Sequence, residues 1–232
     1  MLNIAELKEK GKASMKANYW MSVVVSILLS FFAAGMSFGS GSSWNNNENV
    51  DIQLTDEVIA IILAVLAVIA VFVIIGALVR IFVFNPIEVG CQNFFIKNAR
   101  TQNAQFGEVG AAFKPAWMNN VKTLFLRDLF LVLWSMLFLI PGLVKSYSYR
   151  MVPYILADHP EISGTEAISL SRKMMNGNKM KTFLFDLSFI GWILLSIITL
   201  GILAVFYVGP YYNNAAAEIY ETLKPDFPEL NS

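Results

Sequence analysis

The chain has 232 residues, 56% of them hydrophobic, 13% aromatic and only 15% charged, a balance outside the range of ordinary soluble domains and inside that of membrane proteins. The formal net charge is zero, which gives no general attraction to nucleic acid and leaves the placement of charge as the informative quantity. One cysteine, Cys91, excludes an intramolecular disulfide, and one histidine, His159, leaves no cluster of metal ligands, so neither a metal nor a cofactor is expected.

In chain order, Met1 to Tyr19 predicts an amphipathic helix, with Ile4, Leu7, Gly11 and Met15 on one stripe and Lys8, Lys10, Lys12 and Lys16 elsewhere. Such a helix suits the membrane surface. Trp20 to Phe38 is an uncharged apolar run long enough to span. Ala33-Ala34-Gly35 offers a signal-peptide reading, but the long lead-in and the further spans favour an uncleaved first helix. Gly39 to Glu57 is rich in Gly, Ser and Asn, carries Glu48, Asp51, Asp56 and Glu57 without Lys or Arg, and by the positive-inside rule belongs outside. Val58 to Phe84 is the strongest crossing, with Arg80 placed to snorkel near its end. Asn85-Pro86 follows, then Glu88 to Arg100 as a helical extension inside a basic, cytoplasmic region that runs to 121.

The remaining chain predicts two helical hairpins. Lys122 to Asp158 and Lys181 to Tyr220 both open with Lys-Thr and carry an Asp near the start, Asp128 or Asp186. Both then break at a glycine, Gly142 or Gly201, and end near Pro-Tyr. The linker between them, 158–180, holds Arg172, Lys173 and Lys179. Four crossings would put that basic linker outside, against the charge rule, whereas six put it inside with both termini. Segment length and charge agree on about six, with four or five as the alternatives. The Met/Asn/Lys clusters before 20–84, 122–157 and 181–222 and the prolines Pro86, Pro153 and Pro210 extend the repeat to three units of surface helix, span, turn, span, followed by a tail at 223–232. The expected fold is therefore all-α: a polytopic helical membrane protein of about six transmembrane helices in three hairpins, each preceded by a cytoplasmic amphipathic helix.

Two groups of residues are candidates for function. Arg80, Arg127, Asp128, Arg150 and Asp186 fall at similar depth, and charges within a membrane must be paired or wetted. They form either a ligand or proton layer or, the plainer and favoured reading, ion pairs locking the bundle. Arg172, Lys173, Asn178 and Lys179 form a candidate cytoplasmic interaction surface for anionic headgroups or a protein partner. Tyr147-Ser148-Tyr149 and Pro210-Tyr211-Tyr212 read as interfacial aromatic belts, Lys145 as reaching outer headgroups, and Asp158-His159-Pro160-Glu161 as a solvated turn. No catalytic arrangement stands out.

The stretches IPGLVKSYSYRMVPYILAD, AISLSRKMMNGNKMKTFLFDLSFIGWILL and LGILAVFYVGPYYNNAAAEIY, with the lead LKEKGKASMKANYW, resemble the integral-membrane family catalogued as domain of unknown function 975, found mainly in Gram-positive bacteria. More distantly, the Pro-Gly break and the Ser-x-x-x-Met-x-Gly-Asn helix are similar to the membrane domain of some glycerophosphoryl diester phosphodiesterases, whose catalytic domain has no counterpart in the sequence. The resemblance implies a multi-pass bacterial membrane protein and supplies no activity or site residues. The expected function is a non-enzymatic accessory component that interacts with membrane lipids or with another membrane or cytoplasmic protein. The alternative is a small solute or ion transporter or channel using the Asp/Arg layer.

Overall fold

A computed structural model describes residues 2–34, 56–114 and 117–230, so the expected outer loop lies almost wholly outside the described residues, as does Gly35 of the signal-peptide reading. Every regular element among the described residues is helical. Helix α1 (Ile4–Ala17) starts at Asn3, whose side chain accepts from the Ala5 N–H at 3.1 Å. Its buried stripe is Leu7, Gly11, Ser14 and Met15. That stripe is covered by the last long helix rather than left for a membrane surface, and a Cβ at Gly11 would overlap the backbone of Ala215.

Helix α2 (Tyr19–Ala34) is followed by α3 (Asp56–Val79), a π turn at Arg80–Phe84 and α4 (Asn85–Thr101). The expected break at Asn85-Pro86 is thus a widened turn inside a continuous helix. Proline lacks the N–H that would bond the carbonyl four residues back, and its ring crowds that carbonyl, so the turn opens. The freed carbonyl of Phe82 accepts the indole N–H of Trp117 at 3.2 Å. The same arrangement recurs near the C-terminus, where a π turn at Ala204–Val208 precedes Gly209-Pro210 and the start of α11 (Gly209–Leu223). There the carbonyl of Phe206 accepts the Tyr19 hydroxyl at 2.8 Å.

Helices α5 (Trp117–Leu137) and α6 (Leu139–Ser148) reverse at Phe138, whose backbone is extended at φ −160° and ψ 145°. The reversal therefore comes before the expected break at Gly142. Pro141 sits in the first turn of α6, where its missing N–H costs nothing. Gly142 serves close approach instead, since a Cβ there would lie 2.6 Å from Ser135 Oγ and 2.9 Å from its Cα. The other expected turn, Thr199-Leu200-Gly201, holds, with φ of 51° at Leu200 and 83° at Gly201. The returning limb after Gly142 is two helices, α6 and α7 (Val152–Asp158), parted by a turn at 149–151. Helix α8 (Gly164–Met174) precedes α9 (Lys179–Leu187) and α10 (Ile190–Ile198).

The three Asn residues of the sequence clusters occupy matching places. Asn18 donates to the Ala104 carbonyl, Asn119 to that of Ile162 and Asn178 to that of Met174. Four positions after each stand Ser22, Thr123 and Thr182, all fully buried. The lead-in segment of each unit packs on the closing helix of another: the 3₁₀ run Phe106–Phe113 on α4, α8 on α7, and α1 on α11. The second lead-in is thus a 3₁₀ run rather than the amphipathic α-helix expected.

Packing is uneven along the helices. A tight core of Phe94, Phe95, Ile155, Met174, Ile219 and Tyr220 joins α4, α7, α8 and α11. Beyond it the apolar surface is bare: every residue of α3 from Leu63 to Val79 is exposed, as are Met136, Ile198 and Leu200. An apolar surface of that extent needs an apolar surrounding. Two helical stretches, Leu63–Thr101 and Lys179–Ile198, are long and apolar enough to cross a membrane.

Replacing Tyr19 or Trp117 by Phe leaves a proline-freed carbonyl without its donor and is expected to cost about 0.5–1.5 kcal/mol each. Gly142→Leu, which forces α5 and α6 apart, is expected to cost more than either. Thermal midpoints of the detergent-purified variants check the order.

Candidate functional site

Among the apolar helices, charged side chains concentrate in two groups. In the first, Arg127 on α5 donates from both Nη atoms to the two carboxylate oxygens of Glu88 on α4, at 2.7 and 3.0 Å, and from Nε to Asp128 at 2.9 Å. Arg80 reaches Asp128 more loosely, at 3.7 Å. In the second, Arg150, in the turn between α6 and α7, forks onto Asp186 of α9 at 2.7 and 3.0 Å and donates to the Tyr212 hydroxyl at 2.7 Å. The hydroxyls of Tyr147 and Tyr212 in turn donate to Asp186 at 2.8 and 2.9 Å. Arginine keeps its charge, so each guanidinium at this depth requires such a fork.

Both groups border one open cleft of about 530 Å³. Arg80, Glu88, Arg127, Arg150 and Asp186 line it, with Asp128 bound behind them. Leu29, Leu131 and Leu143 supply apolar wall, and Gln92 and Asn213 further polar lining. The Gln92 side chain is 7% exposed, and its Oε1 has no hydrogen-bond partner among the described residues.

All five residues of the expected charged layer are thus brought together, with Asp128 paired to Arg80 and Asp186 to Arg150. Sequence reading missed Glu88 and Gln92. Both follow Arg80 at steps of four, a helical stripe that reading Asn85-Pro86 as a break concealed. It also misplaced Tyr147 and Tyr212: they are not an interfacial belt but hydrogen-bond donors to a carboxylate, while Tyr149 and Tyr211 are buried. The Lys145 ammonium lies over the Trp134 ring, 4.5 Å from its centre, instead of reaching outward.

The expected basic surface is only partly assembled. Arg172 and Lys173 are exposed at the end of α8, Asn178 turns back to the Met174 carbonyl, and Lys179 is half-buried. The Asp158 turn, expected to be solvated, is instead a junction. Asp158 accepts two bonds from Arg100 at 2.8 Å, one from Lys224 at 2.7 Å and one from the Tyr220 hydroxyl at 2.9 Å, and His159 is buried beside it. Partial burial works against its ionised form, but these donors outweigh burial and hold the carboxyl well below its ordinary 3.8.

Residues 118–226 match the model of the family described as Protein of unknown function (DUF975). The lead LKEKGKASMKANYW lies before that match. No curated protein and no solved structure matches the chain.

Asp158 supports a stability prediction. Its folded carboxyl titrates below the unfolded one, so its contribution is complete above about pH 4 and is lost as pH falls further. Asp158→Asn is expected to cost roughly 2 kcal/mol or more at pH 7, with the gap to wild type closing below pH 4. Thermal unfolding across that pH range measures both.

Proposed function

Proceeding from a chain whose residues 118–226 match the DUF975 family model, we propose a non-enzymatic, multi-pass protein of a bacterial cytoplasmic membrane that works by holding a small ligand in the charged cleft. It crosses the membrane six times in three hairpins, with both termini and the α8 linker in the cytoplasm. The observation that carries the binding role is that the Arg/Asp groups border open volume. Ion pairs that serve only to lock helices need none, and about 530 Å³ falls within the range of roughly 300–1,000 Å³ typical of ligand pockets. Transport or conduction of a small solute is an extension of this reading, because a site that binds within the membrane is also a station for passage.

A second reading keeps the cytoplasmic face as the working surface. It is favoured by Arg172 and Lys173, which stand exposed while Ala167, Ile168, Leu170 and Ser171 of the same helix are buried. It predicts that the double change to Glu abolishes binding to vesicles containing anionic lipid or to a protein partner, with insertion intact. The cleft reading predicts no effect.

Two measurements test the leading reading. For topology, single cysteines at Ile140, Leu200, Thr165 and Glu229 in a Cys91→Ser background are labelled on whole cells with an impermeant thiol reagent. Labelling at 140 and 200 with protection at 165 and 229 is expected; labelling at 165 removes the repeated hairpins. For binding, native mass spectrometry of gently released protein is expected to show a stoichiometric small adduct that Leu143→Trp, placed in the cleft wall, lacks. Bare wild-type protein, or an adduct retained by Leu143→Trp, rejects the cleft as the working site.

A further inference from the structure

Resting on the cleft reading, we propose that the occupant is a phosphate-containing zwitterion ending in a protonated primary amine, presented as an ethanolamine-type phospholipid headgroup or as the free phosphoethanolamine ester. Four features of the cleft converge on that chemistry.

The first is charge balance. Arg80, Arg127 and Arg150 are matched by Glu88, Asp128 and Asp186, so an occupant with net charge enters uncompensated while a zwitterion does not. The second is a spare cation. Arg127 and Arg150 are each forked onto a carboxylate, but among the described residues Arg80 has only the 3.7 Å approach to Asp128, leaving donors for phosphate oxygens. The third is a spare acceptor. Gln92 lines the same cleft, and its buried Oε1 has no partner among the described residues, so it calls for an N–H donor, with the Glu88 carboxylate one turn away to favour a positive one.

The fourth is an apolar flank beside the polar groups. The apolar wall includes Leu143, which is 57% exposed and continuous in type with the bare apolar surface of the molecule. A lipid seated there has its chain along the leucines, its phosphate at Arg80 and its amine at Gln92.

The experiment titrates detergent-purified, delipidated protein with phosphatidylethanolamine, phosphatidylcholine or phosphatidylglycerol of matched chains, read by native mass spectrometry, with free phosphoethanolamine as competitor. Phosphatidylethanolamine is expected to bind at least about tenfold tighter than phosphatidylcholine, which has no N–H, and tighter than anionic phosphatidylglycerol. Arg80→Gln and Gln92→Leu are each expected to weaken it about tenfold. Gln92→Leu removes an unsatisfied buried acceptor, so its thermal midpoint without lipid should hold or rise, whereas a structural role for Gln92 would lower it. Displacement by free phosphoethanolamine at concentrations comparable to the lipid identifies the soluble ester as the source; resistance to it identifies the membrane lipid. Equal binding of phosphatidylcholine, or unweakened binding by both variants, overturns the assignment. If none of these probes binds while wild type still carries an adduct that Leu143→Trp lacks, the ligand class is wrong and the cleft reading stands; an adduct retained by Leu143→Trp removes the cleft reading itself.

Discussion

An arginine that enters an apolar bundle cannot shed its charge, and most of the arrangement described above follows from that constraint. Arg127 needs a carboxylate with both oxygens presented, and Glu88 provides it only if α4 runs alongside α5 in one register. Arg150 needs Asp186, which fixes α9 against the turn between α6 and α7. One break in the helices falls at the fork itself: Arg150 lies in the turn at 149–151 that parts α6 from α7. Each fork is a geometric requirement on two helices, and the two forks together hold α4, α5, α9 and the α6–α7 turn about a common space. Packing then has to accommodate the space, which is why an open cleft survives inside an otherwise apolar assembly.

Proline poses the complementary problem on the backbone. Pro86 and Pro210 each free a carbonyl deep enough in the helix to require a donor, and each receives one from the first residue of another unit's helix, Trp117 for Phe82 and Tyr19 for Phe206. The π turn is what makes the carbonyl reachable. A backbone defect in one unit is thus repaired by the entry point of another, and the repair doubles as a long-range tether. The break before Pro153 is bridged differently: Ser171 of α8 accepts from the Met151 N–H and donates to the Ser148 carbonyl.

Much of this was legible in the sequence because hydrophobic run length, charge placement and repeat spacing are local signals. The all-helical class, the α1 stripe, the turn at Gly201 and the gathering of Arg80, Arg127, Asp128, Arg150 and Asp186 all rest on such signals. What was misread depends on which residue faces which across the fold. Gly142 looked like a turn because glycine permits one, but the facing Ser135 decides that it is a contact point. Tyr147 and Tyr212 looked interfacial by type, and only the position of Asp186 turns them inward. Asp158 looked like a loop residue because its donors, Arg100, Tyr220 and Lys224, come from distant stretches of chain. Glu88 and Gln92 were hidden by treating a proline as the end of a helix when it widens one.

The contact of α1 with α11 closes the three units on themselves, since the other two lead-in segments pack on the closing helices of the units just before them. Such a ring has an assembly order built into it. A ribosome delivers α1 before α11, so the stripe of α1 that α11 covers has no lasting partner until all three units have been made. Until then Leu7 and Met15 are uncovered, and the Tyr19 hydroxyl waits for a carbonyl that does not yet exist. Helix α1 therefore reports on α11: its docking signals that all three units are in place, and a chain stopped before α11 would display the stripe that α11 hides.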